Sequence, residues 1–169
     1  SIAYQLGLIT SDSLGNIYTA TDSSSIQQDF TITRSGGINE LAIGAASIYN
    51  EKIMIGASIG IPIVNYTERI LLKESDNQNT IDDLNNFSNL NYLKTRGVGF
   101  NLKIGVIGMP IKNLRLSLAF QTPGMLFMRD VFLTSMEVDY ASLSDILTGD
   151  SPDGASKYKY VQPWKLTAG

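Results

Sequence analysis

Two basic residues near the middle of the chain are the first candidates for binding a ligand, because of where they fall in a regular alternation. Lys103 and Arg115 lie in the segment GVGFNLKIGVIGMPIKNLRLSLAF, residues 97–120, where large aliphatic residues recur at every second position. Both cations fall on the intervening positions, among small or polar residues. A cation attracts carboxylates through charge-assisted hydrogen bonds. The spacing therefore places Lys103 and Arg115 on the same face of adjacent predicted strands, where either cation is able to attract a carboxylate group.

Three acidic residues, Asp76, Asp82 and Asp83, are the other set with possible chemistry, because calcium prefers oxygen ligands. Their spacing does not match an EF-hand loop, and a solvated loop accounts for them better. The chain has neither histidine nor cysteine, which removes the commonest general base and the commonest zinc ligand. No pair of carboxylates shares a strand face at a useful spacing. The sequence therefore predicts no enzyme, no cofactor and no metal site.

The elements that position the two cations are predicted to be β-strands, because the aliphatic residues repeat with a period of two. A tight hairpin turn is predicted at Lys112–Asn113, between the two alternating runs. The aliphatic positions of these runs are Val98, Phe100, Leu102, Ile104 and Val106, then Leu114, Leu116, Leu118 and Phe120.

Similar patterns predict further strands and connections. Strands are expected at about 2–9, 26–34, 39–49 and 53–64, with turns at 35–37 and 50–52. Two polar stretches, about 74–91 and 134–156, are predicted to be long loops. In the last segment one predicted face carries Tyr158, Tyr160, Trp164 and Leu166, and the other carries Lys157, Lys159 and Lys165.

Composition limits the class of protein. The net charge of −3 argues against a nucleic-acid partner, which requires a basic surface. The sequence contains no run of 18 or more apolar residues, so no transmembrane helix is predicted. The hydrophobic fraction of 43% fits an ordinary globular domain. It equally fits a membrane β-barrel, whose strands are apolar on one face only.

Three features favour the membrane barrel. The face opposite the aliphatic residues is rich in glycine, whereas a soluble sheet normally carries solvated side chains there. Tight connections at 50–52 and 111–113 alternate with the two long loops, as in outer-membrane barrels. Aromatic residues at predicted strand ends match an interfacial girdle: they are Tyr49, Tyr66, Tyr158, Tyr160 and Trp164. A soluble β-sandwich or lipocalin-like barrel also alternates and is the alternative.

The order of these segments resembles the FadL-type outer-membrane transporters for hydrophobic compounds, in the version found in Bacteroidota. GGINELAIGAASIYNEKIMIGASIGIPIVNY, residues 36–66, is similar to a hairpin of that family. The runs GVGFNLKIG at 97–105 and LRLSLAFQTP at 114–123 resemble the hairpin signature that follows it. YVQPWKLTAG at 160–169 is similar to the next strand, so the resemblance covers most of residues 26–169.

The resemblance implies an all-β fold, an antiparallel transmembrane β-barrel of 14 strands with an N-terminal hatch in its lumen and a lateral opening in its wall. Residues 1–169 would supply about six or seven strands of that single outer-membrane domain. The chain starts at Ser1 without a methionine and stops inside a strand pattern. We therefore expect an internal piece that lacks the hatch and the remaining strands.

In such a barrel the aliphatic face contacts lipid and the small face lines the lumen. The expected lipid-facing residues are Ile55, Ile59, Ile61, Phe100, Leu102, Ile104, Leu116, Leu118 and Phe120. The expected lumen-facing residues are Ser58, Asn101, Lys103, Arg115, Ser117 and Gln121. A lipid-facing cation at the midplane would cost about 2–4 kcal/mol, which agrees with two inward cations. These cations either attract the carboxylate of a fatty acid or pair with acidic residues of the hatch.

The resemblance implies passive uptake of hydrophobic compounds such as long-chain fatty acids, through the lumen or a lateral wall opening. The location would be the outer membrane of a Gram-negative bacterium, and the partners would be outer-membrane lipid and a hydrophobic small-molecule ligand. The same barrel type also serves as a non-transporting partner in Bacteroidota protein secretion. That alternative would bind a protein through the extracellular loops, and the sequence leaves both functions open.

Overall fold

A computed structural model describes residues 1–19, 26–77, 81, 83–111 and 113–169 of the chain. These residues are all-β and antiparallel apart from one short helix, as the alternation predicts. The elements are α1 (Ile2–Gln5), β1 (Ile9–Ser11), β2 (Ile17–Thr19), β3 (Gln27–Tyr49), β4 (Ile53–Ser75), β5 (Leu84–Ile111), β6 (Leu114–Gln121), β7 (Gly124–Tyr140), β8 (Leu147–Asp150), β9 (Gly154–Gln162) and β10 (Lys165–Ala168).

Eight of these strands form one sheet, and β1 and β2 form a separate hairpin. The main path of the sheet runs β10-β6-β5-β4-β3, and β7 pairs with β5, β8 and β9. The 28-residue strand β5 therefore has two partners on one side, β6 for one part of its length and β7 for the other. The described strands do not close into a barrel. Within the same described ranges, no helix is long and apolar enough to cross a membrane.

The chain divides into two compact units. Unit 1 consists of residues 1–35, 67–94 and 131–155, and unit 2 consists of residues 36–66, 95–130 and 156–169. Unit 1 has a small hydrophobic core, in which Val138 is completely buried. The other buried members of this core are Leu6, Leu8, Leu84 and Met136.

The predicted turn at 50–52 is confirmed. Asn50 and Glu51 have φ angles of 49° and 55°, and the Lys52 N–H donates to the Tyr49 carbonyl at 3.3 Å. Positive φ at both central residues is the geometry of a hairpin turn that matches the twist of its strands. At the second predicted turn Asn113 lies in a turn, and Lys112 lies outside the described residues.

Two local predictions are wrong. The expected strand at 2–9 begins as a helix, because the Leu6 N–H donates to the Ile2 carbonyl at 3.0 Å and Leu6 is buried. The turn expected at 35–37 is continuous strand within β3. Gly36 allows this, since its φ of +118° suits glycine and a side chain there would collide with the backbone of Asn65 and Tyr66.

Where the structure describes them, the stretches predicted as long loops, 74–91 and 134–156, are largely strand, and residues 78–80 and 82 lie outside the described residues. β4 extends to Ser75, β5 begins at Leu84, and β7, β8 and β9 cover most of the second stretch. Polar side chains stabilise these strands by pairing across the sheet. The cross-strand hydrogen bonds join Gln28 to Glu74 at 2.7 Å, Asn86 to Asp139 at 3.0 Å and Thr134 to Asn91 at 2.8 Å. These parts of the strands therefore form without a regular alternation of apolar residues.

A β-bulge lies where β5 changes partner from β6 to β7. The Thr122 N–H donates to the Leu102 carbonyl at 2.9 Å, and the Leu102 N–H donates to the Thr122 hydroxyl at 3.0 Å. Pro123 follows, and it has no N–H to pair. The extra residue shifts the alternation by one, so that even-numbered residues of β7 share a face with the odd-numbered residues of β5.

A matching shift at Pro163 corrects the prediction for the last segment. Gln162 lies beside Gly124, so Tyr158 and Tyr160 take the face of Gly124 by alternation. Leu166 instead pairs with Phe120, and the Trp164 ring lies 6.4 Å from the Phe120 ring. Tyr158 and Tyr160 therefore do not share a face with Trp164 and Leu166.

Leu84→Ala is expected to lower the free energy of unfolding by about 3 kcal/mol, because a truncated buried leucine leaves a cavity in the core of unit 1. Leu14→Ala is the matched control, since Leu14 is 86% exposed in the same unit. Urea unfolding followed by circular dichroism measures both. Equal losses in the two variants would contradict the core described for unit 1.

Candidate ligand groove

The register of β5 and β6 gives unit 2 two chemically different faces. Lys103 lies opposite Gln121, and Ile104 lies opposite Phe120. We call the side with Lys103 the small-residue face and the side with Ile104 the aliphatic face. Seven expected lipid-facing residues are between 40% and 56% exposed: Ile55, Ile59, Phe100, Ile104, Leu116, Leu118 and Phe120. Ile61 and Leu102 are half-buried.

A groove of about 650 Å³ lies on this part of the sheet. Its floor is made of residues with little or no side chain, which leaves the space open. The small residues that line it are Gly44, Ala45, Ala46, Gly56, Ala57, Ser58, Gly105, Ser117 and Ala119, and the larger apolar ones are Met54, Ile55, Ile104, Val106, Ile107 and Leu118. Lys103 is the only charged residue among the described lining residues. The groove is therefore an apolar cleft with one cation at its edge.

The ammonium group of Lys103 is paired within the chain. Its Nζ donates to Glu40 Oε1 at 2.5 Å, and both side chains are about one third exposed, at 40% for Lys103 and 32% for Glu40. An ion pair with this exposure contributes at most about 1 kcal/mol. Its larger effect is to neutralise the charge beside the groove. The sequence analysis missed Glu40, although its even number in β3, shared with Gly44, indicates the same face.

At Gly60 the backbone of β4 lies very close to the side chains of this ion pair. A Cβ at residue 60 would collide with Glu40 Oε1 and would lie 2.7 Å from Asn101 Oδ1. Asn101 is 3% exposed, and its Oδ1 accepts no hydrogen bond from the described residues. Rotating that amide by 180° would present its NH₂ group to the Glu40 carboxylate. Glycine at position 60 is thus what lets these two polar groups reach each other.

Of the other expected lumen-facing residues, Arg115 lies away from Lys103. Arg115 is six residues from Gln121 along β6, about 20 Å from the row of Lys103. It is exposed and has no ion pair among the described residues. The two cations are therefore not brought together. Ser58 and Ser117 line the groove, and Gln121 is half-buried opposite Lys103.

The aromatic residues expected at the membrane interface have different environments. Tyr49 is 71% exposed beside the tight turn, and Trp164 is 60% exposed next to Phe120. Tyr66 is half-buried. Tyr158 and Tyr160 are exposed on the small-residue face. The Tyr158 hydroxyl donates to Asp130 at 3.5 Å.

The acidic residues considered as calcium ligands accept hydrogen bonds from neighbouring backbone and hydroxyl groups. Asp76 is buried and accepts a hydrogen bond from the Ile81 N–H at 2.6 Å. Asp83 accepts hydrogen bonds from the N–H and the hydroxyl of Ser142, each at 2.6 Å. Asp82 lies outside the described residues. In the part of the chain that the structure describes, no group of three or more acidic side chains is arranged to hold a metal ion.

Two pKa shifts in unit 1 have structural causes. Burial and the charge of Asp83 raise the pKa of Tyr140, whose hydroxyl donates to the Leu6 carbonyl at 2.7 Å. Hydrogen bonds from Asn16, Leu14 and Tyr18 lower the pKa of the exposed Asp12 carboxyl. Tyr140 ties the N-terminal segment to β7, and Asp12 closes the β1–β2 turn.

No protein-family model matches this chain, and no curated protein matches it significantly. The fold and the groove define its class: an antiparallel β-sheet protein with one exposed aliphatic face and an apolar cleft on the small-residue face.

Gly60→Ala is expected to displace the Glu40 carboxylate and free the Lys103 ammonium group. Because the ion pair is partly exposed, its loss is expected to cost at most about 1 kcal/mol of stability. Acetylation of Lys103, quantified by mass spectrometry, should be faster in this variant than in the wild type. Gly105→Ala is the control on the same face, because its Cβ would meet its nearest atoms at 3.7 and 3.8 Å. Equal acetylation in the two variants would contradict the role of Gly60.

Proposed function

We propose that this chain forms part of the wall of an outer-membrane β-barrel that takes up hydrophobic compounds, as its resemblance to FadL-type transporters implies. The observation that carries the proposal is the contrast between the two faces of unit 2. Large aliphatic side chains cover one face and remain exposed. The other face holds an apolar groove floored by small residues. A wall between lipid and a ligand-filled lumen requires this contrast.

The extent of the aliphatic face supports a membrane setting. On β4 the outward aliphatic residues run from Ile53 to Ile63, and Asn65 and Thr67 follow them. A tilted strand needs about 9–11 residues to cross the hydrocarbon core. The apolar band thus has the length of one membrane crossing, although β4 as a whole has 23 residues. The strands of this chain also pair antiparallel, which is the pairing that satisfies backbone hydrogen bonds in outer-membrane barrels.

The groove favours ligands that are mainly apolar. Its lining offers Ser58, Ser117 and a lysine already paired with Glu40. Binding therefore draws on the transfer of apolar surface from water, about 25 cal/mol per Å². Arg115, free of ion pairs among the described residues, is the cation on this face that is able to attract a carboxylate head group.

Unit 1 supports a second candidate, the protein partner in secretion. Its three segments contain thirteen acidic and four basic residues, whereas the overall charge of the chain is only −3. Large apolar side chains in the same unit are exposed, among them Leu14, Ile17 and Ile146. A surface of this composition suits a cationic protein partner. Native mass spectrometry of the full-length protein, described next, separates the two functions.

Ala46→Leu is expected to weaken ligand retention by roughly tenfold, because the added methylene groups occupy the groove and overpacking costs about 1–3 kcal/mol. Ser47→Leu is the matched control, since residue 47 leaves from the aliphatic face by alternation and is not among the residues that line the groove. Native mass spectrometry of the full-length protein, extracted gently from membranes, measures the bound apolar mass. Equal retention in both variants would contradict the groove as the ligand site. A second protein in place of a small mass would favour the secretion partner.

Arg115→Ala is expected to slow the uptake of a long-chain fatty acid by about fivefold, the loss of roughly 1 kcal/mol of charge-assisted attraction. Uptake of its methyl ester, which lacks the carboxylate, should not change. Vesicles containing the full-length protein allow both rates to be measured. Equal slowing of acid and ester would show that Arg115 does not recognise the head group.

A further inference from the structure

Basic side chains cluster on the aliphatic face of unit 2, at one end of its apolar band. Arg129, Lys157 and Lys159 line a groove of about 460 Å³ together with Phe127. All three cations are exposed. None of them forms an ion pair with the acidic residues that the structure describes. The cluster is therefore open to an anionic ligand.

Strand register adds Arg96 to this cluster. The side chain of Met128 packs against Gly97, and Cγ of Leu126 lies 3.0 Å from the point where a Cβ of Gly99 would stand. Counting along this antiparallel pair puts Arg96 beside Arg129, on the face opposite Gly97. Both cations thus leave from the aliphatic face.

The same reasoning aligns Lys157 with Arg129. Gln162 Oε1 lies 3.0 Å from the Cβ position of Gly124, which sets the register of β9 on β7. Counting outward puts Lys157 beside Arg129 and Lys159 beside Phe127. Arg96, Arg129 and Lys157 consequently form a row across the three neighbouring strands β5, β7 and β9. We call this set, with Lys159, the basic row.

The basic row marks the edge of the apolar band. The next residues toward the band are Val98 on β5 and Phe127 on β7, and Phe127 is 53% exposed. On β4, counting from Gly60 beside Asn101 puts Asn65 level with Arg96. On β4, β5 and β7 a polar or basic residue, Asn65, Arg96 or Arg129, therefore follows the aliphatic residues at one level of the outward face.

Like charges directly opposite each other on neighbouring strands are destabilising unless an anion lies between them. Phosphate oxygens are strong acceptors for arginine and lysine. A cation row that borders an apolar band meets the depth at which lipid phosphates lie against acyl chains. The tight turn at 50–52, the end of β5 at Ile111 and the start of β6 at Leu114 lie at the other end of the band. Outer-membrane barrels place their short connections on the periplasmic side.

We propose that Arg96, Arg129, Lys157 and Lys159 bind the phosphate group of an anionic glycolipid in the outer leaflet, with its acyl chains against Phe127. This inference rests on the proposed membrane setting. The lipid site differs from the ligand groove in its ligand, in the face of the sheet that it occupies and in its chemistry. The lipid is held from outside the wall, whereas the transported compound lies on the small-residue face.

The experiment uses the full-length protein in phosphatidylcholine nanodiscs doped with phosphorylated or dephosphorylated lipid A. Native mass spectrometry counts the lipid A molecules retained. The wild type should retain the phosphorylated form, and Arg129→Ala with Lys157→Ala should lower retention roughly tenfold, because each basic side chain near an anionic lipid adds to the attraction. Lys52→Ala with Lys165→Ala, which removes the same charge elsewhere, should retain it as the wild type does.

Membrane insertion, measured by flotation with lipid vesicles, separates the two ways in which the inference fails. A protein that inserts but retains both forms of lipid A equally, or loses as much lipid in the control variant, overturns the lipid site and leaves the proposed function standing. A protein that does not insert overturns both. Selective retention lost only in the Arg129 and Lys157 variant supports the site.

Discussion

Cross-strand register is the constraint on which the rest of this structure depends. Side chains alternate with a period of two, so a slip of one residue exchanges the faces of a strand. In this chain such a slip on β5 would put Lys103 among the aliphatic residues and Phe100 among the glycines. The groove, the Glu40–Lys103 pair and the exposed aliphatic face all exist only in the observed register.

Shifts of alternation at Thr122–Pro123 and at Pro163 make that register more complex than a regular antiparallel ladder. Without the extra residue at Thr122–Pro123, β7 would turn Phe127 toward the small-residue face and Leu126 away from it. The bulge keeps Leu126, which is 2% exposed, against Gly99. The shift at Pro163 does the same for the neighbouring strand. Adjacent strands therefore keep their faces consistent because both change phase at the same level.

The sequence predicts the central strands well because their aliphatic residues repeat regularly. It predicts the outer parts of the same strands poorly, since cross-strand pairs such as Gln28–Glu74 stabilise them without an apolar period. Within the site, the small residues of the groove follow from alternation alone. The partner of Lys103 does not, because Glu40 is 63 residues away and only the register brings the two together. The faces of Tyr158 and Tyr160 required knowledge of the shift at Pro163.

The tight turn at 50–52 has a consequence for how the chain assembles. It forms a three-residue connection between two 23-residue strands, so joining the end of β3 to the start of β4 costs little chain entropy. Each further residue pair then adds to a hydrogen-bond ladder that has already formed. Pairing of β10 with β6 must instead close a long stretch of chain, and such distant contacts form slowly. We therefore expect β3 and β4 to pair first and the later strands to add to them.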